Sequence, residues 1–327
     1  MTLLQSIDQM IDNITVTDRQ EDNIKASISN LNDHLKAKES NLHVLETFTN
    51  GSYERDTIIR PLKDIDLFAV LDLEKWKDEN GNLPNPQSVL SKLKEYLNGL
   101  NDYKDKVRQD RPCVTIELSN KDFDVLPSFE QNGSYLIPAY DLKSWTYSDP
   151  KRLTDDLSKV NGQRSYRVKP TIKAVKYWNR ENNGFVPSYH IEEVAISIFQ
   201  MYSVKNYEES IRLWFDNASL YLNSQKFDSY NKYEKAISKI GKVKDKLTEA
   251  KKDFDNGEER KAKELWKSVF GDEFPDVVDE EVEEAKTFAK SLSSGALKIS
   301  AAGTLSVAVG NTVAASKGFY GDDLPNT

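Results

Sequence analysis

Residues 50–72 read NGSYERDTIIRPLKDIDLFAVLD and place two aspartates, Asp64 and Asp66, one residue apart at the start of a strongly apolar run. Continuous apolar residues of this kind predict a strand that is buried on both faces of its sheet. Because side chains alternate faces along a strand, both carboxylates point the same way and would repel each other. A divalent cation removes that repulsion, and Mg²⁺ suits the pair because it prefers oxygen ligands and leaves room for substrate phosphates.

A third acidic residue is available in the segment DFDV, where Asp122 and Asp124 again share one face of a predicted strand. If this strand lies beside the one that carries Asp64 and Asp66, one of the two completes a site for a pair of metal ions. One ion would activate an attacking hydroxyl group, and the other would hold a triphosphate and the leaving pyrophosphate. The residue pattern by itself leaves the choice between Asp122 and Asp124 open.

Gly51 and Ser52 precede the two aspartates in the same stretch and fit the same kind of site. Glycine permits a tight turn and a close approach of the backbone to a ligand. The segment SYERDT is expected to open a short helix whose N-terminal amides attract phosphate, and the Ser52 hydroxyl can add a hydrogen bond. A Gly-Ser pair or an Asp-x-Asp motif alone more often marks a turn or a solvated strand end, so the ordered combination carries the prediction.

The composition limits the classes of function. The 327 residues carry a formal net charge of −8 at pH 7, whereas proteins that grip long nucleic acid usually have a surplus of Lys and Arg. The one cysteine, Cys113, forms no intrachain disulfide and no zinc cluster. Asp8 and Asp12 interrupt the region where a signal peptide needs an apolar core, and no apolar run has the length of a membrane span. We therefore expect a soluble, cytoplasmic protein that is not associated with a membrane.

The periodicity of the apolar residues changes along the chain. Residues 18–38 carry an apolar stripe typical of a long helix beneath the core, and strands then alternate with helices. In the second half helical patterns dominate, and from about residue 276 the chain is first acidic and then rich in small residues. We predict an α+β fold with a catalytic core in residues 1–165, a helical lobe in residues 166–275, and a flexible or loosely docked tail in residues 276–327.

Four segments taken together resemble a known family. In chain order, GSYERDTIIRPLKDIDLFAVL, DVLPSF, IKAVKYWN and PSYHIEEV are similar to motifs of the polymerase-beta-like nucleotidyltransferase superfamily. More narrowly, they resemble the cGAS/DncV-like nucleotidyltransferases (CD-NTases) of bacterial antiphage CBASS signalling systems. The resemblance implies a nucleotidyltransferase core with a mixed sheet and a long N-terminal spine helix, followed by the helical lobe that completes the nucleotide pocket.

The resemblance assigns the catalytic and metal-binding residues. Asp64, Asp66 and Asp124 match the acids that bind two Mg²⁺ ions, with Mn²⁺ as an alternative, and that catalyse the transfer. Asp124 is preferred over Asp122 because it directly precedes an apolar pair and a proline, as the third acid of the family does.

The resemblance also assigns the nucleotide-binding residues: Gly51 and Ser52 match the phosphate-binding turn, Lys176 and Ser188 match residues at the donor triphosphate, and Tyr189 matches a tyrosine that stacks on the donor base. Lys176 shares its helix with Ile172, Val175 and Trp178, which should anchor that helix against the core. Ser188 is also well placed as the N-cap of its helix. We expect His190 to be structural, and Tyr189 has core packing as its alternative role.

The function that the resemblance implies is the joining of nucleoside triphosphates, with ATP expected among them, into a cyclic di- or oligonucleotide second messenger with release of pyrophosphate. A separate effector would bind the product, a regulatory protein partner would control the enzyme, and no long nucleic acid would be required. Animal cyclic GMP-AMP synthases carry a zinc-binding insert that one cysteine and three histidines cannot build, so activation by DNA through that insert is not expected.

Two other functions fit the same residues. The first is a nucleotidyltransferase of the superfamily that modifies RNA, a protein or a small molecule, although the net charge of −8 weakens the RNA version. The second is a non-catalytic nucleotide-sensing protein on the same fold, which the complete set of acids disfavours. Cyclic products made without an added acceptor would distinguish the cyclic oligonucleotide synthase from both of these alternatives.

Overall fold

The computed structural model describes residues 1–277, Lys290 and the residue pairs 298–299, 305–306 and 311–312. The chain divides into two compact units, Met1–Pro275 and Asp276–Thr327. In the second unit the described pairs form a small antiparallel sheet, in which Lys298–Ile299 is the middle strand. The tail predicted for residues 276–327 lies mostly outside the described residues, and the domain boundary predicted at residue 165 stays a prediction.

The described elements follow the order that the periodicity predicts, with the strands of the larger sheet before most of the helices. The helices are α1 (Leu3–Ile14), α2 (Asp18–Lys36), α3 (Gly51–Glu54), α4 (Leu73–Trp76), α5 (Pro86–Gly99), α6 (Arg152–Gln163), α7 (Val168–Glu181), α8 (Ser188–Met201), α9 (Tyr207–Tyr221), α10 (Tyr230–Asp255) and α11 (Glu259–Phe270). The strands are β1 (Val44–Asn50), β2 (Asp64–Leu71), β3 (Val107–Asp110), β4 (Cys113–Glu117), β5 (Asp122–Gln131), β6 (Ser134–Pro138), β7 (Trp145–Ser148), β8 (Lys298–Ile299), β9 (Leu305–Ser306) and β10 (Asn311–Thr312).

The larger sheet has the strand order β1–β2–β5–β4–β3, and β6 and β7 continue it from the far end of β5. Strand β2 lies between β1 and β5, as its two apolar faces predicted: Ile65 and Leu67 are buried on one face, and Phe68 and Val70 on the other. The β2–β5 pair is parallel, whereas the other pairs are antiparallel. The mixed sheet and the helices that follow it confirm the predicted α+β fold class.

The register of the β2–β5 pair brings the acidic residues together. Asp64 lies opposite Asp122, and Asp66 lies opposite Asp124. On the other side of β5, Thr115 of β4 lies opposite Asp124. All four aspartates therefore lie at the same end of the sheet, where β2 and β5 begin.

One apolar cluster fills the space between this sheet and the helices α2 and α5. Val89, Leu90, Leu93 and Leu97 of α5 are buried in this cluster. The cluster holds the strands β2 and β5 from the face opposite Asp66, because odd-numbered residues of β2 belong to it. The acids therefore sit on a rigid support.

The N-terminal segment forms two helices, and the second of them, α2, confirms the long helix predicted for residues 18–38. Helices α1 and α2 each begin with their own capping box, Thr2 with Gln5 and Thr17 with Gln20. A capping box satisfies the free amides of a first helical turn, so the second box starts a new helix at Asp18. Helix α1 joins the apolar cluster of the C-terminal helices, whereas α2 packs on the sheet.

Helices α6 to α11, together with α1, form the second large apolar cluster, which surrounds Trp214, Phe215 and Trp266. Helix α11 ends at Phe270, and Gly271 after it has a φ of +63°. None of the helices in the described part of the chain combines the length and the apolar composition needed to cross a bilayer.

Candidate active site

A cavity of about 520 Å³ is lined by residues from the start of β2 and β5, from α3 and the loop after it, and from α7 and α8. The wall includes every residue predicted for the site: Gly51, Ser52, Asp64, Asp66, Asp124, Lys176, Ser188 and Tyr189. Asp122, which the structure also describes, is not part of this wall. The fold thus gathers residues from widely separated segments around one space.

The carboxylates of this wall lie close enough to perturb one another. Burial raises the pKa of Asp66 to about 6, with a further rise from the Asp124 carboxylate and an opposing effect of Arg55. Burial and the Asp124 carboxylate also raise the pKa of Asp64. The Thr115 hydroxyl donates a hydrogen bond of 2.6 Å to Asp124 Oδ1, which fixes the orientation of that carboxylate.

The donor set fits a hard divalent cation. Asp64, Asp66 and Asp124 offer carboxylate oxygens to one cavity, and a bound cation would offset the burial and the mutual repulsion that raise the pKa values of Asp64 and Asp66. Among the described residues, no group of three or more His, Cys, Asp and Glu side chains is close enough to hold a metal ion unaided. Mg²⁺ is commonly held by one or two carboxylates together with substrate phosphates, so the acids present are suitable ligands once a nucleotide binds.

Gly51 lies in direct contact with Asp66. It has a φ of +68°, and a Cβ at this position would lie only 1.6 Å from Asp66 Oδ2. The short helix expected after it is present as α3, which starts at Gly51 itself. Gly51 is therefore required both for its backbone conformation and for the space that the Asp66 carboxylate occupies.

Lys176 reaches the cavity wall from a buried position on α7. Its ammonium donates hydrogen bonds to Glu192 Oε1 at 2.5 Å and to Thr57 Oγ1 at 2.9 Å. Burial lowers the pKa of Lys176, and the Glu192 carboxylate opposes that effect. The predicted anchors of this helix, Ile172, Val175 and Trp178, are all buried, so that prediction is confirmed.

Ser188 and Tyr189 line the cavity from the first turn of α8. Ser188 is the first residue of the helix and Pro187 occupies the N-cap position, so the predicted N-cap role of Ser188 is wrong. The Tyr189 side chain is 43% exposed, and the Lys226 ammonium lies 5.3 Å from the centroid of its ring. Tyr189 is thus not a core residue, and its ring is accessible for stacking.

His190 turns away from the cavity and is 3% exposed. Its Nε2 accepts a hydrogen bond of 2.9 Å from the Asn223 amide, and its Nδ1 lies 2.8 Å from Glu193 Oε2. These contacts join α8 to the loop after α9, which confirms the predicted structural role.

The structure adds wall residues that the sequence did not predict: Arg55, Thr57, Lys63, Arg180 and Glu192. Two of these residues could have been predicted from their neighbours in the sequence, since Lys63 precedes Asp64 and Arg180 lies one helical turn after Lys176. Arg55 Nε donates to Glu192 Oε2 at 2.6 Å across a sequence separation of 137 residues, for which no local pattern exists.

Comparison with known proteins identifies relatives of the chain. The family model of the Second Messenger Oligonucleotide or Dinucleotide Synthetase (SMODS) domain matches residues 1–161. A cyclic AMP-AMP-AMP synthase from an Acinetobacter species is 27% identical over 330 residues, which cover 91% of this chain and 92% of that protein.

Solved structures share the fold. CdnC of Escherichia coli MS115-1, in complex with HORMA-deltaN, has a TM-score of 0.64 and 15% identity, covering 84% of this chain and 98% of CdnC. DncV of Vibrio cholerae, a cyclic AMP-GMP synthase bound to the linear intermediate pppA(3′,5′)pG, has a TM-score of 0.64 and 13% identity, covering 81% of this chain and 94% of DncV. The similarity to both structures concerns the fold.

Proposed function

Because the chain belongs to the cGAS/DncV-like nucleotidyltransferases, we propose that it joins nucleoside triphosphates into a cyclic di- or oligonucleotide second messenger and releases pyrophosphate. The observation that carries this proposal is the single cavity that holds the strand acids, the Gly-Ser turn and the residues of α7 and α8. The similarity to a cyclic AMP-AMP-AMP synthase supports ATP as one of the substrates.

The residues of the wall form two groups, one that binds the phosphates and one that binds the base. Gly51 and Ser52 bind the donor phosphates through the turn, and Lys176 and Ser188 approach them from the helical side. Tyr189 stacks on the donor base, an interaction worth about 1–3 kcal/mol per base. These contacts place the α-phosphorus next to the ribose hydroxyl of an acceptor nucleotide, and such positioning contributes much of the acceleration of a phosphoryl-type transfer.

Asp64, Asp66 and Asp124 would hold the metal ions at the reacting phosphate. Two Mg²⁺ ions, with Mn²⁺ as an alternative, would supply Lewis-acid activation of the acceptor hydroxyl and neutralise charge on the leaving pyrophosphate. Asp124 is oriented for this role by Thr115, whose hydroxyl donates to it. Arg55 opposes the rise of the Asp66 pKa, which helps to keep that carboxylate ionised for metal binding.

Ring closure requires a second transfer in the same cavity. The linear product of the first transfer reverses its orientation in the cavity. Its own triphosphate then becomes the donor, and its free hydroxyl becomes the acceptor. The linear intermediate bound to DncV, which has the same fold, supports this order of events.

The cyclic product would act through a separate effector protein in antiphage defence, and a regulatory protein would control the enzyme. The complex of CdnC with HORMA-deltaN supports a protein as the regulator. A cytoplasmic location suits a chain whose one cysteine, Cys113, forms no disulfide.

Mass spectrometry of reaction products tests the proposed function. Purified protein is incubated with the four nucleoside triphosphates and Mg²⁺, and the mixture is treated with phosphatase. We expect a phosphatase-resistant cyclic oligonucleotide that contains AMP. Products that appear only with an added RNA, protein or small-molecule acceptor would favour the alternative transferase, and no turnover under any condition would favour a nucleotide sensor.

A pair of matched variants separates the two acids of β5. Asp124→Asn should abolish the cyclic product, because it removes a ligand from the cavity wall, whereas Asp122→Asn should retain it. The reverse result would identify Asp122 as the third acid of the site.

A further inference from the structure

Glu192 binds three side chains that line the cavity. Its carboxylate accepts hydrogen bonds from Arg55 Nε at 2.6 Å, from Lys176 Nζ at 2.5 Å and from the Thr57 hydroxyl. The Glu192 residue is 0% exposed, and Arg55 and Lys176 are 7% and 6% exposed. One glutamate thus contacts both of the buried cations beside the candidate phosphate site, and Asp66 is a further carboxylate that interacts with each of them.

These contacts join the three segments that supply the predicted nucleotide-binding residues. Arg55 directly follows α3, which begins at Gly51, and Lys176 lies on α7. Glu192 lies one turn after Ser188 on α8, so both residues are on the same side of that helix. The Glu192 carboxylate therefore sets the distance between the Gly-Ser turn, Lys176 and Ser188.

Stability alone does not account for such a cluster. Removing ions from water is energetically costly, and a protein with apolar residues of similar size in place of a buried ion cluster is often equally stable. The cluster faces a cavity that is predicted to hold a triphosphate, where two directed cations have a chemical use.

We propose that Glu192 is a positioning residue for the donor triphosphate, because it fixes Arg55 and Lys176 on the cavity wall with their charges next to the phosphates. This inference rests on the proposed function in one respect, since it takes a nucleoside triphosphate as the occupant of the cavity.

The charges around Lys176 support this role and give it a pH signature. Burial lowers the Lys176 pKa, Glu192 from α8 is the main group that raises it, Arg55 beside α3 lowers it, and Asp66 of β2 raises it. Without the Glu192 charge, burial and Arg55 would both favour the neutral amine. A variant that lacks this charge should therefore bind phosphates more weakly as the pH rises.

Binding and kinetics of Glu192→Gln test the proposal. We measure the Kd of a nonhydrolysable ATP analogue with Mg²⁺, and KM and kcat for ATP, from about pH 7 to about pH 9. We expect the variant to bind the analogue about tenfold more weakly or worse, the loss expected for one misplaced charge-assisted hydrogen bond. The loss should grow with pH in the variant and not in the wild type, and Glu192→Asp, which keeps the charge, should restore the flat pH profile.

Glu208→Gln is the matched control, because Glu208 is also buried, is 4% exposed and pairs with Arg212 at 2.8 Å, but does not line the cavity. It should lose a comparable amount of stability and keep the wild-type Kd and KM. The proposal is wrong if Glu192→Gln behaves like this control, or if it binds the analogue as tightly as the wild type or more tightly. If Glu192→Gln does not fold, Glu192→Asp is compared with Glu208→Asp. Glu192→Asp should keep the flat pH profile but raise KM, because its shorter side chain moves Arg55 and Lys176, and equal KM values for the two variants would overturn the proposal.

The binding measurement also separates this inference from the proposed function. A wild-type protein that binds the analogue but makes no cyclic product would refute the synthase function, and the analogue affinities of the Glu192 variants would still decide the role of Glu192. A wild-type protein that makes the product while Glu192→Gln keeps its affinity would refute the role of Glu192 alone.

Discussion

At the scale of single residues, the site depends on a backbone position that admits no side chain. Gly51 approaches Asp66 so closely that a Cβ would overlap Asp66 Oδ2, and its φ of +68° is one that other residues rarely adopt. Any other residue at position 51 must displace the Asp66 carboxylate.

Gly51→Ala should therefore abolish turnover. A displacement of about 1 Å of a catalytic group can cost roughly 100-fold in rate, and the overlap here exceeds that. Gly133→Ala is the control, because Gly133 has a φ of +76° and a Cβ there would meet no atom within 4 Å. Both variants carry the backbone cost of about 1–2 kcal/mol, but only Gly51→Ala should lose pyrophosphate release. Equal activities for the two variants would contradict the proposed contact.

Thr115 should affect catalysis through Asp124. Thr115→Val keeps the shape and removes the hydroxyl that orients Asp124, so kcat should fall about tenfold with little change in KM. Thr171→Val is the control, since the buried Thr171 hydroxyl contacts Ser210 Oγ at 2.6 Å away from the cavity. Steady-state kinetics check this, and an unchanged kcat for Thr115→Val would remove Thr115 from the site.

The pKa of Asp66 predicts a stability effect with a defined sign. The folded state holds the Asp66 proton up to about pH 6, against the ordinary 3.8, so the ionised carboxylate destabilises the fold above that pH. In EDTA, Asp66→Asn should raise the free energy of unfolding by up to about 3 kcal/mol near neutral pH, and this gain should shrink as the pH falls below about 6. The same variant should make no product. A loss of stability for Asp66→Asn at neutral pH would contradict an energetic cost of burying the ionised Asp66 carboxylate beside Asp124.

At the scale of secondary-structure elements, the first helix belongs with the last ones. Helix α1 buries Leu3, Ile7 and Met10 in the cluster formed by the C-terminal helices, although the whole of the larger sheet lies between them in the sequence. The N-terminal helix is thus a structural part of the helical side of the cavity.

Ile7→Ala tests this packing. Ile7 is 0% exposed, so the variant should lose about 2–4 kcal/mol of unfolding free energy in chemical denaturation. Gln9→Ala on the exposed side of the same helix should change stability by less than about 0.5 kcal/mol. An unchanged free energy of unfolding for Ile7→Ala would show that α1 does not pack on the C-terminal helices.

The elements also show what local sequence can predict. Strand β2, the β4–β5 pair and helices α5, α7 and α8 follow from runs and spacings of apolar residues within one segment. The short strands β3, β6 and β7 were not predicted, because alternations over so few residues are weak signals that pairing partners decide. Helix α2 follows from the apolar stripe of residues 18–38, whereas α1 was not predicted, although the capping box of Thr2 with Gln5 marks its start.

The same limit applies to the site. Asp64 and Asp66 are recognisable locally, but the register that sets Asp66 against Asp124 depends on which strands pair and in which direction. The contacts of Glu192 join residues that are distant in sequence, so only the fold reveals them.

At the scale of the whole molecule, the cavity combines two kinds of support. The sheet provides the acids on rigid strands, and the helices α7 and α8 provide Lys176, Ser188 and Tyr189. Glu192 links the two sides through Arg55. The formal net charge of −8 is unfavourable for binding long nucleic acid, and the Arg55 and Lys176 cations on the cavity wall would suit a small, highly charged nucleotide.

Anomalous diffraction from crystals grown with Mn²⁺ and a nonhydrolysable ATP analogue would test the central site directly. We predict two anomalous peaks about 3.5–4 Å apart in the cavity, both in contact with Asp64 and Asp66 and one of them with Asp124. The analogue should have its phosphates against Gly51 and Ser52. Ions bound to Asp122 in place of Asp124, or an analogue outside this cavity, would contradict the proposed catalytic site.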